Sequence, residues 1–110
     1  MGASREAVEA GSGNVFRDLG LSEPDERQLR TRLAMQINAL IAEQGFSQSQ
    51  ASGILGIPQP HISELKHCKL SRFSSERLLR FLTLMDRDVD IVIRPKRSRR
   101  KVGILSVSVV

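Results

Sequence analysis

A chain of 110 residues with 40% apolar content has room for one small domain, but it is too short to bury two separate cores. It holds no run of about eighteen uncharged apolar residues, which excludes a membrane-spanning helix, and its single cysteine cannot form an internal disulfide bond. The formal charge of +5 suits a polyanionic partner. Because the first residues also lack the apolar segment of a secretory signal, we expect a cytoplasmic protein.

The two ends of the chain differ in composition from the middle. Residues 1–13 are small, polar and rich in Gly and Ser, which is typical of a flexible leader. Residues 94–101 hold six basic side chains and no acidic one, and the apolar stretch VGILSVSVV follows them. Such a basic run suits either a nucleic acid or a merely solvated tail. We therefore predict one domain over residues 14–95 and a basic and apolar tail over residues 96–110.

The first strong helix is predicted to begin after Ser22, which is a suitable N-cap, and to end at Gly45. Pro24 suits its first turn. Residues 14–21 precede it and are expected to pack as an apolar arm on the core or on a partner. The apolar residues that recur at helical spacing and predict the buried side are Leu29, Leu33, Ile37, Leu40 and Ile41.

Two short helices are predicted next, joined by a tight turn. Ser47 and Gln50 form a capping-box pattern, which predicts a helix from Gln48 to Leu55. Gly56 favours a left-handed C-cap. Pro58 and Pro60 are both expected in the first turn of the next helix, where their missing N–H groups have no intrahelical partner. So short a turn requires a steep angle between the helices, with one shared apolar core formed by Ala51, Leu55, Ile57, Ile62 and Leu65.

This pattern is the helix-turn-helix layout, in which the N-terminal residues of the second helix contact base edges in the major groove of DNA. Residues 46–66 resemble the lambda-repressor-like, Xre-type helix-turn-helix family. The positions that carry this resemblance are Gln48, Ala51, Ser52, Gly56, Ile62 and Leu65. Over residues 14–95, the added segments FSSERLLRFLTLM and DVDIVIRP are similar to the antitoxins of HigBA-type toxin–antitoxin pairs and to related phage-type regulators.

The resemblance implies a mainly α fold, a lambda-repressor-like bundle of four to five helices with one short C-terminal β-strand. It also implies a transcriptional repressor that binds double-stranded operator DNA as a homodimer, and an antitoxin partnered by a small toxin of the RelE or HigB type. A stand-alone or phage-type regulator without a toxin is the alternative, and a pure protein-interaction module is a weaker one. Two positions depart from the family pattern. Ser52 stands where Ala is common, and its hydroxyl is expected to bond back to its own helix; Pro60 replaces a polar base-reading side chain.

The resemblance assigns base contacts to the outer face of the second short helix. Gln59 is the best candidate, since its amide can pair bidentately with adenine. Glu64 can accept from cytosine N4, or it pairs with nearby Lys66 or Lys69 instead. His61 can donate to guanine or phosphate, or it is simply solvated. The full set of base-contact candidates is Gln59, Pro60, His61, Ser63 and Glu64.

Phosphate contacts are assigned to basic and polar side chains around that helix, where they would set register without reading sequence. Gln48 would lie near a phosphate at a helix N-terminus, where the helix dipole favours an anion. The other candidates follow the recognition helix: Lys66, His67, Lys69 and Arg72.

After this motif, Ser74 is predicted to cap a helix that carries Leu78, Phe81, Leu82 and Met85 on its core side. The alternating segment that follows predicts a strand in which Val89, Ile91 and Ile93 share one face. A lone strand needs a partner. Pairing with a second copy would place two recognition helices roughly 34–36 Å apart; pairing within the chain, with VGILSVSVV, is the alternative.

Catalysis, cofactors and metals are not expected. No nucleophile with a neighbouring base and no Gly-rich phosphate loop after a strand is apparent. His61 and His67 are six residues apart, which is the wrong spacing for zinc on one helix face. Cys68 has no neighbouring ligand set, and we expect it to be a partly buried small residue.

Overall fold

The computed structural model describes residues 23–97 and 99–110. The predicted leader, the apolar arm of residues 14–21 and the Ser22 cap lie outside this part. The described residues form four helices: α1 (Glu23–Glu43), α2 (Gln48–Leu55), α3 (Gln59–Lys66) and α4 (Ser75–Leu84). We call residues 23–86 the helical region and residues 87–110 the C-terminal extension. None of the described helices is long and apolar enough to cross a membrane.

The helical region is built around one apolar core. α1 packs mainly against α4, and α2 packs mainly against α3. As the sequence predicts, the apolar stripe of α1 is buried, with only Ile41 partly exposed. Phe73, in the loop before α4, is 1% exposed and meets Phe81 edge to face, with 5.9 Å between the ring centroids. Burial of each large apolar side chain contributes about 1.5–3 kcal/mol to folding.

The predicted caps of α2 and α4 are confirmed. Ser47 Oγ accepts from the Gln50 backbone N–H at 3.0 Å, and Gln50 Oε1 accepts from the Ser47 N–H at 2.8 Å, which completes a capping box. Ser74 Oγ accepts from the Arg77 N–H at 3.1 Å and caps α4 in the same way. These local bonds determine where α2 and α4 begin.

All four helices end in the same motif. In each, one residue adopts the left-handed conformation, and the N–H of the next residue donates to the carbonyl five positions earlier at 2.9–3.3 Å. This is the Schellman motif, in which glycine is preferred because it has no Cβ. Two of the four ends lack glycine. The left-handed residues are Gly45, Gly56, Cys68 and Asp86. The prediction that Cys68 is partly buried is wrong, because this turn leaves it exposed.

The predicted C-terminal strand is not formed. Residues 87–97 have no regular secondary structure, and no strand occurs in the described part of the chain, so neither the dimer pairing nor the pairing with VGILSVSVV is present as a ladder. The alternation at Val89, Ile91 and Ile93 indicates only that these side chains would lie on one face if the segment were a strand. A strand also requires hydrogen bonds to a second strand, and a single copy of this chain supplies none.

The extension nevertheless contacts the helical region twice. Val89 and Val107 each pack against the apolar core. Residues 87–92 and 105–110 line the same groove, of about 600 Å³, together with side chains of α1 and α4. The basic residues between them therefore lie between two stretches that both reach the helical region.

Candidate nucleic-acid interface

The position of α3 is determined by its buried side and by α1. Ile62 and Leu65 are 2% and 0% exposed and join the core. Asn38 on α1 donates from Nδ2 to the Leu65 carbonyl at 3.1 Å. Arg30 on α1 donates from Nη1 to the Leu70 carbonyl at 3.1 Å. Two side chains of α1 thus bind the C-terminal end of α3 and the loop that follows it.

The turn between α2 and α3 is closed by Ser52. Its hydroxyl donates to the Ile57 carbonyl, across the turn. The predicted bond from this hydroxyl back to its own helix is therefore wrong. The Ser52 carbonyl accepts from the N–H groups of Gly56 and Ile57 at 2.9 and 3.3 Å. Alanine at this position could not make the side-chain bond, so the departure from the family pattern adds a contact that stabilises the angle between the two helices.

The N-terminus of α3 has few free backbone donors. Both prolines are predicted in the first turn of α3. Pro60 lies within that turn, but Pro58 is the N-cap. Neither proline has an N–H group. The N–H of His61 donates to the Pro58 carbonyl at 2.9 Å. Contacts from this end of α3 to a nucleic acid therefore depend on side chains.

The five base-contact candidates do not share one face of α3. At about 100° per residue, Gln59 and Ser63 lie about 40° apart, whereas Gln59 and His61 lie about 160° apart on opposite flanks. Gln59 and Pro60 are exposed; the other three are partly buried. The Nδ1 atom of His61 is buried without a hydrogen-bond partner among the described residues. Gln59 and Ser63 consequently form one continuous polar edge, which His61 does not join.

Glu64 pairs with a residue from the loop after α3. Arg72 Nε donates to Glu64 Oε1 at 2.8 Å, and the two side chains are 45% and 28% exposed. The partner is thus Arg72, not Lys66 or Lys69. An ion pair at this exposure contributes at most about 1 kcal/mol. It nevertheless joins a base-contact candidate to a phosphate-contact candidate.

Arg77 supports the loop from which Arg72 projects. Its guanidinium carbon lies 5.2 Å from the ring centroid of Phe73 and 5.5 Å from that of Phe81. Its Nη1 donates to the Arg72 carbonyl at 3.4 Å. Sequence reasoning missed Arg30, Asn38 and Arg77 as positioning residues. The sequence signal for Asn38 is a polar residue next to the apolar stripe of α1, which indicates a side chain that needs a hydrogen-bond partner at the edge of the core.

The phosphate-contact candidates are distributed over two helices and a loop. Lys66, His67 and Lys69 are exposed at the end of α3 and just beyond it, and Gln48 is exposed as the first residue of α2. His67 is partly engaged, since its Nδ1 lies 2.8 Å from the Ser63 carbonyl. The charge available next to α3 is therefore that of Lys66 and Lys69 together with the paired Arg72.

Comparison with known proteins agrees with this geometry. The sequence profile of a helix-turn-helix domain family matches residues 15–94. A solved structure, of a protein provisionally assigned to the XRE family of transcriptional regulators, is 43% identical and superposes with a TM-score of 0.78; the match covers 81% of this chain and 100% of that chain. No curated protein sequence matches this one.

The fold and the comparisons together define a helix-turn-helix protein of the mainly α class. The chain belongs to the Xre-type helix-turn-helix family, and it is a DNA-binding transcription regulator. Members of this family are generally regulators rather than enzymes.

Proposed function

We propose that this protein is a sequence-specific repressor that binds its operator as a homodimer, with α3 in the major groove. The observation that carries this proposal is the polar edge of Gln59 and Ser63 on a helix whose adjoining side is held in the core by Ile62 and Leu65. Gln59 reads adenine through a bidentate amide contact, and Ser63, one turn further on, contacts the neighbouring base. Packing of α3 against the core matters because base readout requires that the backbone carrying the contacting side chains be held in a fixed position.

The remaining base-contact candidates have narrower roles. Pro60, exposed in the first turn, contacts a thymine methyl. Glu64, oriented by Arg72, accepts from cytosine N4. His61 lies on the other flank of α3. Because its Nδ1 is buried, its contact with a phosphate or a base at the edge of the site is made through Nε2.

The phosphate contacts position α3 without reading sequence. Lys66 and Lys69 bind phosphates directly, as compact charges at the end of the helix. His67 contributes through the nitrogen that does not face Ser63, and Arg72 through the guanidinium donors left over from Glu64. Gln48 binds a phosphate at the start of α2.

The homodimer forms through the extension. Ile91, Val92 and Ile93 are 42%, 70% and 84% exposed, an unusual run for β-branched side chains in a single chain. Pairing of Val89, Ile91 and Ile93 with the same residues of a second copy buries Ile91 and Ile93 on a two-fold axis, with Val92 on the other face of the paired strands. The two α3 helices then lie roughly 34–36 Å apart, one turn of DNA.

The repressor acts as the antitoxin of a HigBA-like pair that represses its own operon. The support for this role is the likeness of residues 14–95 to such antitoxins, and the partner is a small toxin of the RelE or HigB type. The alternative, a stand-alone regulator, is supported by the solved relative, which is named for transcriptional regulation alone.

Base reading is tested by Gln59→Ala. A duplex selected by the wild-type protein from a random library serves as the cognate site, and an unrelated duplex as the reference. We expect cognate binding to weaken by about 1–3 kcal/mol while binding to the reference duplex is unchanged. Gln28→Ala, at an exposed position on α1, is the matched control and should change neither. Equal losses on both duplexes from Gln59→Ala would reject the base-reading role.

The antitoxin role is tested by the native mass of the protein purified at low salt from its own host. A complex with a small protein encoded by the neighbouring gene, separable only in denaturant, supports the antitoxin. A bare homodimer rejects it and leaves the stand-alone repressor.

A further inference from the structure

The positive charge of the chain is concentrated away from α3. The helical region carries eight Lys or Arg and seven Asp or Glu, so it is nearly neutral. The extension carries seven basic and two acidic residues. Six of those basic residues lie within residues 94–101, a stretch without any acidic side chain. The electrostatic surplus that a DNA-binding protein requires is therefore supplied by the extension.

The surface around α3 supplies little of this attraction. Its cations are Lys66, Lys69 and Arg72, and Arg72 is held by Glu64 at 2.8 Å. Pro58 and Pro60 remove two backbone donors from the N-terminus that would otherwise bind phosphate. Phosphate contacts supply much of the affinity of a DNA-binding domain. A second group of phosphate contacts is consequently needed.

The basic residues of the extension are placed where they can make such contacts. We define the basic loop as residues 94–97 and 99–101. All six of its cationic side chains are exposed. The chain reaches the helical region on both sides of it, through Val89 and Val107, so the basic loop is held at both ends. Because both ends are held, ordering this loop on a partner costs less conformational entropy than ordering a free tail.

We infer that the basic loop is a second DNA-contact element, which binds backbone phosphates beside the duplex segment that α3 reads. This inference rests on the proposed function. The basic loop supplies affinity and leaves base discrimination to α3, because Arg and Lys contacts to phosphate carry no sequence information. The cations of the basic loop are Arg94, Lys96, Arg97, Arg99, Arg100 and Lys101.

The test compares two variants: one lacks three positive charges of the basic loop, and the other lacks three positive charges outside it. The first variant combines Arg94→Gln, Arg97→Gln and Arg99→Gln. The matched control combines Arg32→Gln, Arg80→Gln and Arg87→Gln, which are also exposed arginines. Both variants have the same net charge, so any difference between them reports position. Binding to the cognate and the unrelated duplex is measured from 50 to 200 mM salt, and circular dichroism checks folding.

Each lost phosphate contact lowers the magnitude of the slope of log K against log salt by about 0.9. For the basic-loop variant we therefore expect the magnitude of this slope to fall by about 2–3 for each chain. Its affinity should fall roughly 10- to 100-fold at the lowest salt, equally on both duplexes, and the difference should shrink as salt rises. The control variant should keep a slope within about one unit of the wild type.

Three results would overturn the inference. Equal slopes for the two variants would mean that net charge alone acts. Tighter, loop-dependent binding of the wild type to phosphatidylglycerol vesicles than to either duplex would assign the basic loop to a membrane surface. Failure of the proposed function is distinguishable, because it appears as no Gln59-dependent preference for any duplex. A basic-loop variant with the wild-type slope and an intact preference contradicts only the basic loop.

Discussion

The helical region and the C-terminal extension use apolar side chains in opposite ways. Among the described residues, every buried apolar side chain lies between Leu29 and Met85, whereas eight of the ten exposed large apolar side chains lie within residues 91–110. The apolar side chains of the helical region pack mainly against one another in its core. The extension anchors only Val89 and Val107 there. Most of its apolar surface is therefore left exposed in a single copy of the chain.

The same division holds for charge. The helical region is nearly neutral and holds the polar edge that can discriminate between bases. The extension is strongly basic and holds the apolar run that can associate two chains. Under the proposed function, base discrimination belongs to the helical region and electrostatic affinity belongs to the extension. If this division is correct, substitutions in the extension should change binding and association while the fold stays intact.

The largest contrast in stability is expected between Phe73→Ala and Ile93→Ala. Phe73 is 1% exposed and contacts both Phe81 and Arg77, so its truncation leaves a cavity and should lower the free energy of unfolding by about 3–5 kcal/mol. Ile93 is 84% exposed, and its truncation should change that free energy by less than about 0.5 kcal/mol. Urea denaturation of both variants measures the difference. Similar losses would mean that the extension is as tightly packed as the core.

A smaller free-energy change, but a change of oligomeric state, is expected for Ile93→Lys. The monomer should fold normally, because the side chain is exposed. In a strand-paired dimer the same lysine would be a buried, unpaired charge that weakens association by roughly 3 kcal/mol. Sedimentation velocity at micromolar protein should therefore show the monomer. Met35→Lys, at an exposed apolar position on α1, is the control. An unchanged mass for Ile93→Lys would show that Ile93 does not lie in the dimer contact.

Local signals in the sequence predicted most of the helical region. Ser47, Gly56 and Ser74 determine helix ends through bonds to residues three to five positions away, and such patterns are readable from the sequence. Contacts between distant residues were not predictable in this way. The bond from Asn38 to the Leu65 carbonyl joins residues 27 positions apart. The Arg72 partner of Glu64 depends on the path of a loop.

The strand predicted for residues 89–93 shows how a local pattern can mislead. Alternation at Val89, Ile91 and Ile93 is a real pattern, but it specifies only which side chains share a face. The hydrogen-bond partner of a strand is not encoded locally, and within the described residues of one chain no such partner occurs.

The smallest effects are expected at the left-handed residues that end the helices. Gly56 and Cys68 have φ angles of 70° and 56°, yet only Gly56 lacks a Cβ. Cys68→Gly should relieve that strain and raise the free energy of unfolding by about 0.5 kcal/mol, after the added flexibility of the unfolded chain is subtracted. Gly56→Ala should lower it by about 1 kcal/mol; no atom lies within 4 Å of the added Cβ, so the cost is conformational. Thermal denaturation resolves both shifts. A loss of stability in Cys68→Gly would show that the cysteine side chain makes a contact worth more than the strain it imposes.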